Sequence, residues 1–182
     1  MAWIKKGVIF VNQDKYGWDK SHAQVPVVDI VEEGLLRIYY SSRDKKGNSF
    51  PSYIEADANN PSKVIYTHSK PILKLGLIGS FDESGIMPTC IINKGKLKYL
   101  YYIGWSEKKT VPYQNSIGLA ISKDNGNSFS KFSDGPIIGM SHIDPYFTGS
   151  FYVLRDKNLY RGYYLSCIRW ELFDEKLEPI YI

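Results

Sequence analysis

Two cysteines in 182 residues, Cys90 and Cys167, are too few for a disulfide framework. Each lies in an apolar run, so buried, reduced thiols are expected. No apolar run reaches the ~20 residues that a membrane-spanning helix requires. The opening MAWIKKGVIFV is basic, but it has no apolar span of secretory-signal length and no cleavage-like segment after it. The expected compartment is the cytoplasm, with no membrane partner. The net charge is only +4, from 23 basic and 19 acidic residues, so the lysines read as a solvated face and no nucleic-acid partner is expected. No stretch sustains a helical apolar period, which leaves room for almost no helix. There is no P-loop, dinucleotide fingerprint or G-x-S-x-G elbow, and no cofactor is expected. Asp14, His68 and His142 lack metal-ligand spacing, and no metal is expected.

Aromatic residues, by contrast, are plentiful, at 15% with 15 Tyr and 4 Trp. Their placement shows a repeat. A shift of 62 residues carries Pro26 to Pro88, Leu35 to Leu97 and then Leu159, and Tyr39-Tyr40 to Tyr101-Tyr102 and then Tyr163-Tyr164. An internal period of this length points to stacked copies of one supersecondary unit. The units run over approximately 20–81, 82–143 and 144–182, the last incomplete. Val- and Ile-rich or aromatic runs separated by Gly, Asn and Asp read as strands. In the first unit these are Gln24 to Val31, Leu35 to Ser41, Ser52 to Ala56 and Val64 to Thr67, after a short apolar strand from Gly7 to Val11. The second has Gly85 to Asn93, Leu97 to Ile103, Ser116 to Ser122 and an outer element near Phe129 to Phe132. The third has Thr148 to Leu154 and Leu159 to Leu165, with room for one more strand at the end. Pro26 requires an edge, a bulge or a strand start.

Units of four short antiparallel strands at a regular interval predict an all-β fold, a partial β-propeller of about three four-stranded blades. Known propellers close with at least about four blades. The chain is therefore a fragment, or a homo-oligomer completes the propeller, or the sheets pack differently.

SHAQVPVVDI, RIYYSSRD, YIEADANNPSKV, FDESGIMPT, YLYYIGW, VPYQNSIGLAISKDNG and DPYF together resemble a group of bacterial five-bladed propeller proteins. That group is related to glycoside hydrolase family 43 and to the arabinanase, xylosidase, levansucrase and invertase superfamily. The likeness covers essentially the whole chain and implies the N-terminal part of a longer, five-bladed propeller, here truncated. Ser122 to Phe129 resembles the Asp-box turn of other propellers, a structural feature.

In a propeller the inner strands converge on a central channel, so the residues before each inner strand should share one rim. The shift makes Ser21-His22, Glu83-Ser84 and Pro145-Tyr146 equivalent, and carries Asp82 onto Asp144. Glycoside hydrolysis uses one carboxylic acid to protonate the leaving oxygen and a second to activate water or attack carbon. The resemblance implies that Asp82 or Glu83 is the second-blade carboxylate and Asp144 the third-blade acid. His22 and Gln24 stand where the superfamily carries a basic Asp, and His22 suits either a base or a sugar-hydroxyl partner. Asp29 lies too far along its strand to replace it. The alternative for Asp82 and Asp144 is capping of a turn at a strand entrance. Arg43 and Trp105 also coincide under the shift, Arg43 suiting a carboxylated or phosphorylated sugar and Trp105 offering a ring face. Trp18 and Tyr113 are further substrate-binding candidates of the same kind. Three readings follow: a glycoside hydrolase or glycan-processing enzyme using rim carboxylates, a non-catalytic carbohydrate-binding propeller, and an inactive fragment. In the first two the partner is a carbohydrate ligand.

Overall fold

The computed structural model describes residue 5 and residues 7–182. Among the described residues eleven strands form three consecutive antiparallel meanders, and no helix occurs. The first unit comprises β1 (Ser21–Glu32), β2 (Leu35–Arg43), β3 (Ser49–Asp57) and β4 (Val64–Thr67). The second comprises β5 (Gly85–Lys94), β6 (Leu97–Glu107), β7 (Tyr113–Ser122) and β8 (Ser130–Lys131). The third comprises β9 (Phe147–Asp156), β10 (Leu159–Phe173) and β11 (Lys176–Tyr181). The chain is thus all-β, with blade-like units matching a partial propeller.

The doubled tyrosines explain how the units stack. Adjacent strand residues face opposite sides. Tyr39 therefore enters a core with Ile86, Leu100, Tyr102 and Phe129 between units one and two, while Tyr40 packs with Ile38, Ile54 and Ala56 on the other face of unit one. One period later, Tyr102 joins that first core and Tyr101 packs against the next, formed by Cys90, Ile117, Phe151 and Val153. Each pair packs one ring forward and one back. In unit three Tyr163 lies on an exposed face with Tyr152 and Leu154.

The inner strands β1, β5 and β9 line one opening of about 270 Å³ through Val27, Val28, Thr89, Ile91 and Tyr152. Both equivalent prolines sit at ladder irregularities: Pro26 between the shifts flanking Gln24 and Val27, Pro88 just before the shift that ends at Cys90. A residue without an N–H tolerates such positions. Both thiols are buried and unpaired, and burial pushes each up from its ordinary range.

Three sequence expectations are corrected. Gly7 to Val11 is not a strand; Ile9 and Phe10 instead cover the outer core of unit one, with the Phe10 and Tyr40 rings 5.2 Å apart. β7 begins at Tyr113 rather than Ser116, because Glu107, Ser106 and Trp105 extend β6 and pair with Tyr113, Gln114 and Asn115. β10 continues to Phe173, since β11 pairs with its second half across a turn where Asp174 and Glu175 take positive φ.

Ser122 to Phe129 forms a closed hairpin. The Ser122 hydroxyl donates to Asp124 Oδ1 at 2.6 Å, and Ser128 donates through its N–H to Oδ1 (3.0 Å) and its hydroxyl to Oδ2 (2.6 Å). Asn125 and Gly126 adopt positive φ. The hairpin docks on unit one: Arg37 donates to the Asn125 carbonyl at 2.7 Å, Tyr39 to that of Gly126 at 3.2 Å, and Tyr53 to Asn127 Oδ1 at 3.1 Å. Its role is to join blades.

Candidate functional site

In units two and three the acidic residue ahead of the inner strand is bonded to the second tyrosine of its own unit. Asp82 is 0% exposed. Its Oδ2 accepts from Tyr102 at 3.0 Å and pairs with Lys131 Nζ at 2.6 Å, while Ser80 donates to Oδ1 at 3.1 Å. Asp144 is 5% exposed; its Oδ2 accepts from Tyr164 at 3.2 Å and Ser141 at 3.4 Å. Burial first, and then the adjacent carboxylate, pushes each phenol above its ordinary range. Unit one has Asp19 nearby, buried and accepting from the Lys15 and Tyr16 N–H groups. Among the described residues no hydrogen bond or ion pair joins Asp82 to Asp144.

Glu83 is half-buried, with one oxygen accepting the Gly79 N–H at 2.6 Å. The next residue, Ser84, ties three strand ends together: its N–H donates to the Trp105 carbonyl, its carbonyl accepts from Ser49, and its hydroxyl accepts from Glu107.

That junction belongs to a row crossing both units. Register pairs Ser21 with Arg43, Arg43 with Ser49, Ser49 with Gly85, Gly85 with Trp105, and Trp105 with Asn115. Directly paired residues project to one face, so these side chains form a continuous line where the inner strands begin. Gly85 is required within it: a Cβ there would run into the Trp105 indole and come within 2.7 Å of Ser49 Cβ. The indole therefore crosses Gly85 towards Ser49, and the Arg43 guanidinium carbon lies 6.0 Å from its ring centroid. Four buried polar atoms along this line, Arg43 Nε, Ser49 Oγ, Trp105 Nε1 and Asn115 Oδ1, have no hydrogen-bond partner among the described residues. Buried polar groups are normally paired, so four orphans in one row are unusual. Ser49 is fully buried, whereas Arg43, Trp105 and Asn115 are half-buried and bring the row to the surface.

Of the residues named from sequence, the structure brings Arg43 and Trp105 together and places Glu83 beside the junction. His22 follows Ser21 at the end of the row. It is exposed, with φ 63°, and its Nδ1 lies 2.8 Å from Ser21 Oγ. Its carbonyl accepts from Ser42 at 3.3 Å and from Asn12. A non-glycine residue at positive φ is strained and persists only where its surroundings hold it. Gln24 reaches the Met87 sulfur at 3.5 Å. Trp18 lies apart, stacked on Tyr16 and donating to the Ser69 carbonyl at 3.3 Å. Tyr113 packs against Phe147 and Trp170. Asp29 is closed inside a pair with Lys98 at 2.6 Å, with Asn93 bonded to both. Ser49 and Asn115 escaped sequence reading. Counting ladder partners outward from the Asp44–Asn48 loop and from Trp105 would have found them. Among the described residues no group of three or more His, Cys, Asp and Glu is placed to hold a metal ion, and no helix is long and apolar enough to cross a membrane.

No known family profile matches the chain. Two uncharacterized proteins, from two strains of Mycobacterium tuberculosis, are each 35% identical to it over 170 residues, covering 93% of this chain and 56% of theirs. The chain thus spans about half the length of the curated relatives it matches. Among solved structures, a family 117 glycoside hydrolase from Zobellia galactanivorans superposes with a TM-score of 0.60 at 18% identity, over 96% of this chain and 50% of that one. A putative glycosidase from Bacteroides thetaiotaomicron gives 0.66 at 16% identity, over 94% and 57%. An endo-1,4-beta-xylanase from the same organism gives 0.59 at 12%, over 88% and 60%. At these identities the likeness is one of fold, and the chain shares the fold of proteins named as glycoside hydrolases.

Proposed function

We propose that this chain acts on glycans as glycoside hydrolases do, holding a sugar along the row from Arg43 to Asn115 with Trp105 as its platform. The observation that carries this reading is the set of four unpartnered polar atoms in consecutive register at the strand-start end. Sugar hydroxyls both donate and accept. The row presents the half-buried side chains of Arg43, Trp105 and Asn115, with Ser49 buried beneath them. Glu83 is the carboxylate best set to serve as acid or base, being half-buried beside the junction with one oxygen uncommitted among the described residues. Asp144 supplies the second carboxylate, and His22 a polar contact at the row's first end. Asp82 is assigned to structure, because a fully buried carboxylate paired with lysine does not reach a glycosidic oxygen.

Sugar binding without cleavage is the second reading, favoured by one observation: Asp82 and Asp144 are both engaged by tyrosine hydroxyls. A panel of defined oligosaccharides, assayed for reducing-end release and for quenching of tryptophan fluorescence, separates the two. Hydrolysis predicts turnover that falls ~100-fold or more in Glu83→Gln with affinity retained. Binding alone predicts quenching without release. Neither signal with any glycan, from a protein with a cooperative unfolding transition, refutes both.

A further inference from the structure

We infer that the row selects acidic sugars, with Arg43 receiving the carboxylate of a uronic acid. This rests on the glycan reading above and adds the substrate class. The other cations of the interior are each matched to an acid: Arg37 to Glu55, Lys98 to Asp29 and Lys131 to Asp82. Arg43 enters none of the ion pairs among the described residues, and its covered Nε has no acceptor. The adjacent acid, Asp44, does not neutralise it. That carboxylate is spent on its own loop, accepting from the Lys46 and Asn48 N–H groups at 2.8 and 2.9 Å and from the Asn48 amide at 3.1 Å. Glu83 accepts from Gly79, and the Ser21 hydroxyl is held by His22.

Of the four unpartnered atoms, Arg43 Nε and Trp105 Nε1 only donate, Ser49 Oγ donates or accepts, and Asn115 Oδ1 only accepts. A neutral sugar's hydroxyls are uncharged and both donate and accept, whereas a carboxylate brings a negative charge and two acceptor oxygens in the plane that a guanidinium recognises. A uronate suits the half-buried edge of the row: its carboxylate meets the Arg43 guanidinium and its ring lies against Trp105. Leaving buried donors unpaired is what rejects a ligand lacking the acceptor.

The test uses uronate-containing oligosaccharides, with oligogalacturonate and glucuronoxylan fragments as probes, against the same oligosaccharides after carboxyl reduction. Binding is read by calorimetry at low and high salt. The acidic form of at least one probe should bind ~10–100-fold more tightly than its reduced partner, with the difference shrinking as salt rises. Arg43→Gln should remove that difference by weakening the acidic form far more than the reduced one, while Trp105→Ala weakens both forms alike. Equal affinity for acidic and reduced forms overturns the inference and leaves the glycan site standing. Preference for sulfated over carboxylated oligosaccharides also overturns it. Failure of every glycan to bind removes the site itself. Because the central comparison varies the ligand on the unmodified protein, it does not depend on the folding of any variant.

Discussion

Asp82→Asn separates a structural carboxylate from a catalytic one. The wild-type group is fully buried, paired with Lys131 at 2.6 Å and bonded to Tyr102 at 3.0 Å. Removing one partner of a buried pair costs ~3–5 kcal/mol, because the other charge stays desolvated. Two features lower the figure here. The Lys131 side chain is 16% exposed and can turn its ammonium to water, and the amide oxygen of Asn still accepts from Tyr102. A loss of about 2–3 kcal/mol follows, or ~4–12 °C in Tm for a chain of this size. Lys131→Met should cost more, ~3–5 kcal/mol, since Asp82 has no route to solvent and its second oxygen is held only by Ser80. The double variant should recover part of the loss, because neither charge is then stranded. Urea unfolding of the four proteins measures this coupling directly. An Asp82→Asn protein of unchanged stability that has lost glycan turnover would refute the assignment of Asp82 to structure.

Other changes probe the same architecture. Gly85→Ala places a methyl against the Trp105 indole and Ser49, so it should cost ~1–3 kcal/mol by overpacking and shift the tryptophan emission; an unshifted spectrum counts against the placement of Trp105. Lys98→Met leaves Asp29, 3% exposed, without its cation, and a loss of ~3–5 kcal/mol in urea unfolding is expected; a neutral result would mean that the pair is not closed. In the Asp-box-like hairpin, burial acts to raise the Asp124 carboxyl, but bonds from Ser122, Ser128 and the backbone hold it down to about 2 from 3.8. Its folded value lies below its unfolded one, so its contribution is complete above about pH 4 and fades as pH falls towards 2. Asp124→Ala should flatten that part of the Tm–pH profile and cost ~1 kcal/mol at neutral pH, as loss of a comparable cap does; an unchanged profile refutes the assignment.

The repeat and the strand order followed from spacing alone, because a doubled tyrosine that faces two neighbouring blades is a packing constraint written into consecutive residues. Turns such as Lys94-Gly95-Lys96 and Asp156-Lys157-Asn158 punctuate the strands locally, and Gly95 and Lys157 take positive φ. What spacing could not supply was depth. Asp82 and Glu83 are adjacent in sequence, yet one is sealed by Lys131, 49 positions onward, and the other lies beside the surface. No local pattern encodes that partner. Ser49 and Asn115 were missed for a related reason: a serine and an asparagine near loops read as turn residues until the ladder register lines them up with Arg43 and Trp105. The strand that failed, Gly7 to Val11, had apolar side chains to bury but no free ladder to join, so it covers a core without pairing.

The repeat also explains why the candidate site lies where it does. Two residue pairs sit at equivalent positions under the same shift, and they have had opposite fates. Asp82 with Tyr102 and Asp144 with Tyr164 keep the same chemistry at the same separation, each closing its own unit. Arg43 and Trp105 end equivalent strands but differ completely in chemistry. The single parallel pairing of Ser49 with Gly85 brings those two ends into one row. Equivalent residues that agree are bonded within their own unit, Asp82 through both oxygens and Asp144 through Oδ2. Equivalent residues that differ face each other across the junction of two units, with their polar atoms unpaired. Function in a stacked repeat therefore belongs at a junction where the copies have diverged, and in this chain the row from Arg43 to Asn115 meets that condition.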